Sequence, residues 1–155
     1  MVAILRIDHR HTQRALGVAL HQQHQGAEPV FMLGDYLYDV PFYARLADPV
    51  HVVGRWSDPQ IALRDNWRKE LADAGAFDTA LAQQVLVEPQ ALPADLCSHK
   101  VSWLLAPASG PRHPAFLNQS SAIRTSNGFS LWRVESERLP SLNCSGTPNA
   151  GSADR

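Results

Sequence analysis

Apolar residues first recur at helical spacing in "HTQRALGVALHQQHQG", where Leu16, Ala19 and Leu20 share a face, Thr12 stands as N-cap and Gly26 as stop. The pattern then changes. "EPVFMLGD" is a continuous apolar run opened by Pro29 and closed by Gly34-Asp35, the signature of a buried strand. A short helical turn from Val40 to Leu46 and a second buried strand, "DPVHVVG", follow. Helix, strand, helix, strand predicts a parallel sheet with crossover helices. "SDPQIALRDNWRKELADAGAFD" reads as one long helix, capped by Asp58, with Pro59 in its first turn and Gly75 at its end. Leu63, Trp67, Leu71 and Ala74 form its apolar stripe. Asp78 caps a further helix through Val85 and Leu86. A Pro-containing connection leads to a third apolar strand, "VSWLLAPA", and "SGPRHPAF" is a loop. "AIRTSNGFSLWRVE" reads as a hairpin about Asn127-Gly128.

The fold class expected is therefore α/β: a small, mostly parallel sheet with helices packed on it, ending in an antiparallel hairpin. Residues 8–135 form a single domain. Residues 136–155, rich in Ser, Gly, Asn and Pro, read as a disordered tail. The apolar start, residues 1–7, is too short for a signal peptide and reads as a juxtamembrane-like end of something longer upstream.

Composition changes this picture little. A chain of 155 residues suits one domain, and 45% hydrophobic with 19% charged residues is ordinary for a globular protein. A net charge of −1 argues against nucleic acid as partner. No apolar run reaches the roughly 20 residues that span a bilayer. Cys97 and Cys144 leave a disulfide open and do not fix the compartment.

Candidate chemistry concentrates in "GDYLYDVPFYARLADPVHVVG", residues 34–54, which holds all three tyrosines. Asp35 and Asp39 lie where a parallel strand gives way to its loop, the rim at which open α/β sheets bind ligands. Tyr36, Tyr38, Phe42 and Tyr43 beside these carboxylates suit a sugar, whose apolar face a ring covers while an acid takes its hydroxyls. The same residues also suit packing, with Phe42 and Tyr43 as core anchors and Asp39 as an N-cap. His9, His11, His21 and His24, with Asp8, are the weak candidates for a metal, unaccompanied by a Cys cluster or an H-E-x-x-H spacing. His21 and His24 equally suit a solvated helix end. No G-x-S-x-G, G-x-G-x-x-G or P-loop is present, and Ser102 and Ser130 sit in predicted strands without a base at readable spacing. These absences speak against a self-contained cofactor enzyme.

"DYLYDVPFYARLADPVHVVG" resembles the segment that follows the last transmembrane helix of bacterial membrane glycosyltransferases, the protein mannosyltransferase-like enzymes and the lipid A aminoarabinose transferases. "DHRHTQRALGVAL", "KVSWLLAP" and "NGFSLWRV" match further pieces in the same order, so the resemblance covers roughly residues 8–134. It implies a soluble periplasmic C-terminal domain of a transferase that moves a sugar from a polyprenyl-phosphate carrier to a lipid or protein acceptor. The family's catalytic acid lies in an early periplasmic loop that nothing here matches, so no catalytic residue carries over. What the resemblance implies for this chain is an accessory role on the membrane part, with no cofactor of its own and any divalent metal held by the parent enzyme. Asp35, Tyr36, Tyr38, Asp39, Phe42, Tyr43 and Arg45 are its candidates for an interface or ligand rim. Two other readings stand beside it: a free-standing soluble module binding a small sugar or nucleotide, and a metal-binding accessory protein.

Overall fold

The computed structural model describes residues 12–142 and 144. Six strands form one sheet: β1 (Val30–Leu33), β2 (His51–Val53), β3 (Leu86–Val87), β4 (Val101–Pro107), β5 (Arg124–Ser126) and β6 (Phe129–Glu135), in spatial order β3-β2-β1-β4-β6-β5. The first four in that order are parallel; β6 runs antiparallel to β4, and β5 antiparallel to β6. Five helices accompany them: α1 (Arg14–Gln23), α2 (Asp39–Ala44), α3 (Trp67–Phe77), α4 (Thr79–Val85) and α5 (Leu92–Ser98). The expected fold class is met, hairpin included. Asn127 and Gly128 both take positive φ, 47° and 79°, as the tight hairpin turn requires.

Both faces of the sheet are covered, so strand residues alternate between two cores. Val30, Met32, Val52, Trp103, Leu105 and Leu131 pack with Leu16, Leu20, Val40 and Ala44 from α1 and α2. Phe31, Val53, Val87, Leu104, Ala106, Trp132 and Val134 pack with Leu92 and Leu96 of α5. This two-sided burial is why β1 reads as an unbroken apolar run and β4 departs from one only at Ser102. On the first face α1 and α2 touch closely. A Cβ added at Gly17 would lie 2.6 Å from the Tyr43 Cβ and 3.1 Å from the Val40 carbonyl oxygen, so only glycine lets these helices meet.

Three sequence expectations are corrected. The long helix is broken: Pro59–Leu63 is a 3-10 turn capped by Asp58, and α3 begins afresh at Asn66, whose side chain accepts the Arg68 N–H. Leu63 is 74% exposed, so the apolar stripe reduces to Trp67 and Leu71, which do pack on the first core. Gly75 does not stop α3. It admits α4, since a Cβ there would stand 2.9 Å from the Ala82 Cβ. Second, α4 gives way at Leu86 to β3, a two-residue strand too short to show a period. Third, ordered structure runs past Glu135 through 3-10 turns at Ser136–Arg138 and Pro140–Leu142, with Leu142 buried in the second core. Cys97 of α5 is disulfide-bonded to Cys144 across a separation of 47 residues.

Candidate functional site

In an open parallel sheet the natural binding crevice lies between the carboxyl ends of strands whose connections depart in opposite directions. Here those strands are β1 and β4, adjacent in the sheet, with β2 on the far side of β1. The crevice is filled. Gly34, at φ +91°, brings the backbone against Pro107, whose Cγ would stand 3.0 Å from an added Cβ. The exposed Arg112 guanidinium donates to the Gly34 carbonyl at 3.1 Å, beside the same strand end.

The two acids of the rim hold backbone. The Asp35 carboxylate accepts from the Tyr36 N–H at 2.8 Å. Asp39 accepts both the Thr12 hydroxyl and the Gln13 N–H at 2.7 Å through one oxygen, Oδ2. Asp39 is the first residue of α2, yet its carboxylate serves the start of α1, 26 residues away, while Thr12 accepts the Arg14 N–H. The N-cap role expected for Asp39 is thus corrected: Tyr38 holds that position of α2 without a side-chain cap, and the Asp39 carboxylate instead ties down the chain just ahead of α1.

The aromatic residues divide into two groups. Tyr36 is half-buried against the first core and meets Tyr38 edge-to-face at 4.7 Å; burial pushes its phenol pKa up. Tyr38 is 59% exposed and donates its hydroxyl to Glu70 of α3 at 2.7 Å. On α2, Phe42 is 77% exposed and lies edge-to-face with Tyr43, over whose ring the Arg14 guanidinium sits at 5.6 Å. Phe42 is therefore not a core anchor, whereas Tyr43 is partly buried between α1 and α2. Arg45, exposed and left-handed at φ 53°, ends α2 with its N–H on the carbonyls of Pro41 and Phe42.

The Tyr38 contact is open to a direct check. The hydrogen bond to Glu70, with burial and the Glu70 charge adding to it, pushes the Tyr38 pKa from 10.0 up to about 12. A folded-state value above the ordinary one means that the contact's contribution to stability is present below pH 10.0 and fades as pH rises through about 12. Ultraviolet titration is expected to show one tyrosine ionising near that upper value, returning towards 10.0 in Glu70→Ala. A wild-type titration with all the tyrosines ionising near 10.0 overturns the contact.

Sequence reasoning missed a second cluster at the same rim. The Trp56 indole donates to the Val52 carbonyl at 2.9 Å, Trp67 lies edge-to-face with Trp56 at 6.1 Å, and the Arg68 guanidinium stands 5.9 Å over the Trp56 ring. Arg68 also donates to the Arg55 carbonyl. Only the "W" of "GRW" after a strand could have signalled it; its partners come from α3.

The histidines hold carbonyls. The His21 Nδ1 lies 3.0 Å from the Ala44 oxygen, and the His24 Nε2 lies 2.8 Å from the Glu28 oxygen. Each of those nitrogens carries the proton, because a carbonyl can only accept. Asp8, His9 and His11 lie outside the described residues. Among the described residues no group of three or more His, Cys, Asp or Glu side chains is placed to hold a metal. Nor is any helix there long and apolar enough to cross a membrane.

No family model matches the sequence. No curated protein matches it either. A solved structure that shares the fold is ArnT from Cupriavidus metallidurans in the apo state, with a TM-score of 0.53 and 11% sequence identity over 83% of this chain. The matching region is 21% of the ArnT chain, so this chain spans about a fifth of that protein. At this identity the likeness is one of fold.

Proposed function

We propose that this chain is the accessory C-terminal domain of a membrane glycosyltransferase that takes sugar from a polyprenyl-phosphate carrier, packing on the membrane part and shaping the acceptor cavity. The observation that carries the proposal is the fold shared with a fifth of ArnT, a lipid A aminoarabinose transferase. It agrees with the order of the sequence segments that resemble that family. The disulfide between Cys97 and Cys144 supports the same reading, because such bonds persist in oxidising compartments such as the periplasm and are rare in the cytosol.

On this reading catalysis belongs to the rest of the parent enzyme, together with any divalent cation at the carrier phosphate. The contribution of this chain is surface. Tyr38, Phe42 and Arg45 are exposed at the carboxyl end of β1 and along α2, with Tyr36 edge-to-face against Tyr38 and Tyr43 against Phe42. Exposed aromatic side chains rimmed by a cation suit a protein contact, where they supply large area at little entropic cost.

The test is a photo-crosslinking residue placed at Phe42 and, as control, at Glu137, which is exposed beside α5. In the native cell Phe42 is expected to capture an integral membrane protein and Glu137 to capture none. A chain that stays in the aqueous fraction with no capture at Phe42 overturns the proposal and favours the stand-alone binding module.

A further inference from the structure

Beside the filled crevice, on the other side of β4, a cavity of about 560 Å³ opens between the loop after β4 and the β5–β6 hairpin. Its volume falls within the roughly 300–1,000 Å³ of small-molecule sites. The chemistry of its wall is distinctive. No Asp, Glu, Lys or Arg is among the described residues that line it, whereas Ser109, His113, Asn118, Ser120, Thr125 and Ser130 all do, with Trp132 behind them.

These polar groups have defined hydrogen-bonding capacity. The His113 Nδ1 lies 2.9 Å from the Pro107 carbonyl, so it carries the proton and leaves Nε2 of the neutral ring as an acceptor. The Thr125 and Ser130 hydroxyls lie 2.6 Å apart and share a single hydrogen bond, which leaves one hydroxyl proton and several lone pairs over. Ser130 is only 2% exposed, held by its strand and not by solvent. Asn118 adds an amide, at once donor and acceptor. The His113 ring, tilted against Trp132 with centroids 5.6 Å apart, makes the aromatic wall.

A wall of this kind selects by elimination. A phosphate or carboxylate finds no Lys or Arg to pair with. A wholly apolar ligand would strip water from the six polar side chains of the wall without replacing their bonds. What fits is a neutral molecule that offers donors and acceptors in turn and an apolar face to a ring. We infer that this cavity is a binding site for an uncharged pyranose, free or as the terminal unit of a glycan. The inference does not depend on membership of a transferase, and its test needs only the chain itself.

The test is a heteronuclear NMR titration of the full chain with methyl α-mannopyranoside, methyl β-glucopyranoside and N-acetylglucosamine in turn, with inorganic phosphate as the charged control. At least one glycoside is expected to shift the Trp132 indole and His113 ring resonances in the millimolar range, and phosphate to leave them in place. Thr125→Val removes a hydroxyl at constant shape and is expected to weaken binding about tenfold. Asn118→Trp fills the cavity from an exposed rim position and is expected to abolish the shifts at unchanged melting temperature. Should Thr125→Val fold poorly, Asn118→Trp carries the test alone. No glycoside response at high millimolar concentration, a preference for phosphate, or shifts that survive Asn118→Trp each overturn the inference. None of these results bears on capture at Phe42, so the two proposals fail separately.

Discussion

Replacing Trp103 by alanine is expected to cost about 3–5 kcal/mol of folding stability. That is a large share of the roughly 5–15 kcal/mol that holds a domain together. Trp103 is 0% exposed at the middle of the sheet, paired with Val30 of β1 on one side and Arg133 of β6 on the other. Its ring fills the first core under α1, and its indole N–H donates to the Glu28 carboxylate at 2.7 Å. Alanine removes the ring, leaves a cavity beneath α1 and takes a partner from Glu28. Trp103→Phe retains most of the volume and loses mainly the hydrogen bond to a charged group, an expected cost of about 1–3 kcal/mol. Urea denaturation followed by circular dichroism measures both. A Trp103→Ala midpoint within about 1 kcal/mol of wild type would place the ring outside the core.

Breaking the bond between Cys97 and Cys144 is expected to cost about 2–4 kcal/mol. The cross-link spans 47 residues, and the chain entropy of a loop that long corresponds to about 4 kcal/mol in the unfolded state. It ties α5 to the segment that carries buried Leu142, so its loss also frees one wall of the second core. Reduction is expected to lower the melting temperature by roughly 5–15 °C. A Cys97→Ser, Cys144→Ser double variant should melt at the reduced value and ignore reductant. Equal melting of the oxidised and reduced chains would mean that the link contributes nothing to stability.

Several elements were legible because their causes are local. Asp58 and Asp78 cap the turns that they precede. Asn127-Gly128 makes a hairpin because both positions need positive φ, which Asn and Gly tolerate. The broken helix was misread because its composition is helical throughout; only the side chain of Asn66, bonding to the Arg68 N–H, restarts it. β3 was hidden because two residues carry no period, and it exists only where β2 offers a partner.

The candidate site shows the same division more sharply. Its residue types were plain in the sequence: acids and rings at the end of a buried strand. Their roles depend on partners far along the chain. Asp39 is tied to Thr12 and Gln13, Tyr38 to Glu70, and Gly34 to Pro107 and Arg112, and no local pattern encodes such pairings. The cavity beside β4 went unseen because its wall combines a loop with a hairpin, each unremarkable alone.

The sequence by itself determined the class of fold and most of the elements, since period, capping and turn chemistry act over a few residues. The tertiary structure alone decided the strand order, the filling of the crevice, the exposure of Phe42 and the burial of Trp103. Each of these depends on which distant segments the folded chain brings within contact, and that is fixed by the joint burial of both sheet faces.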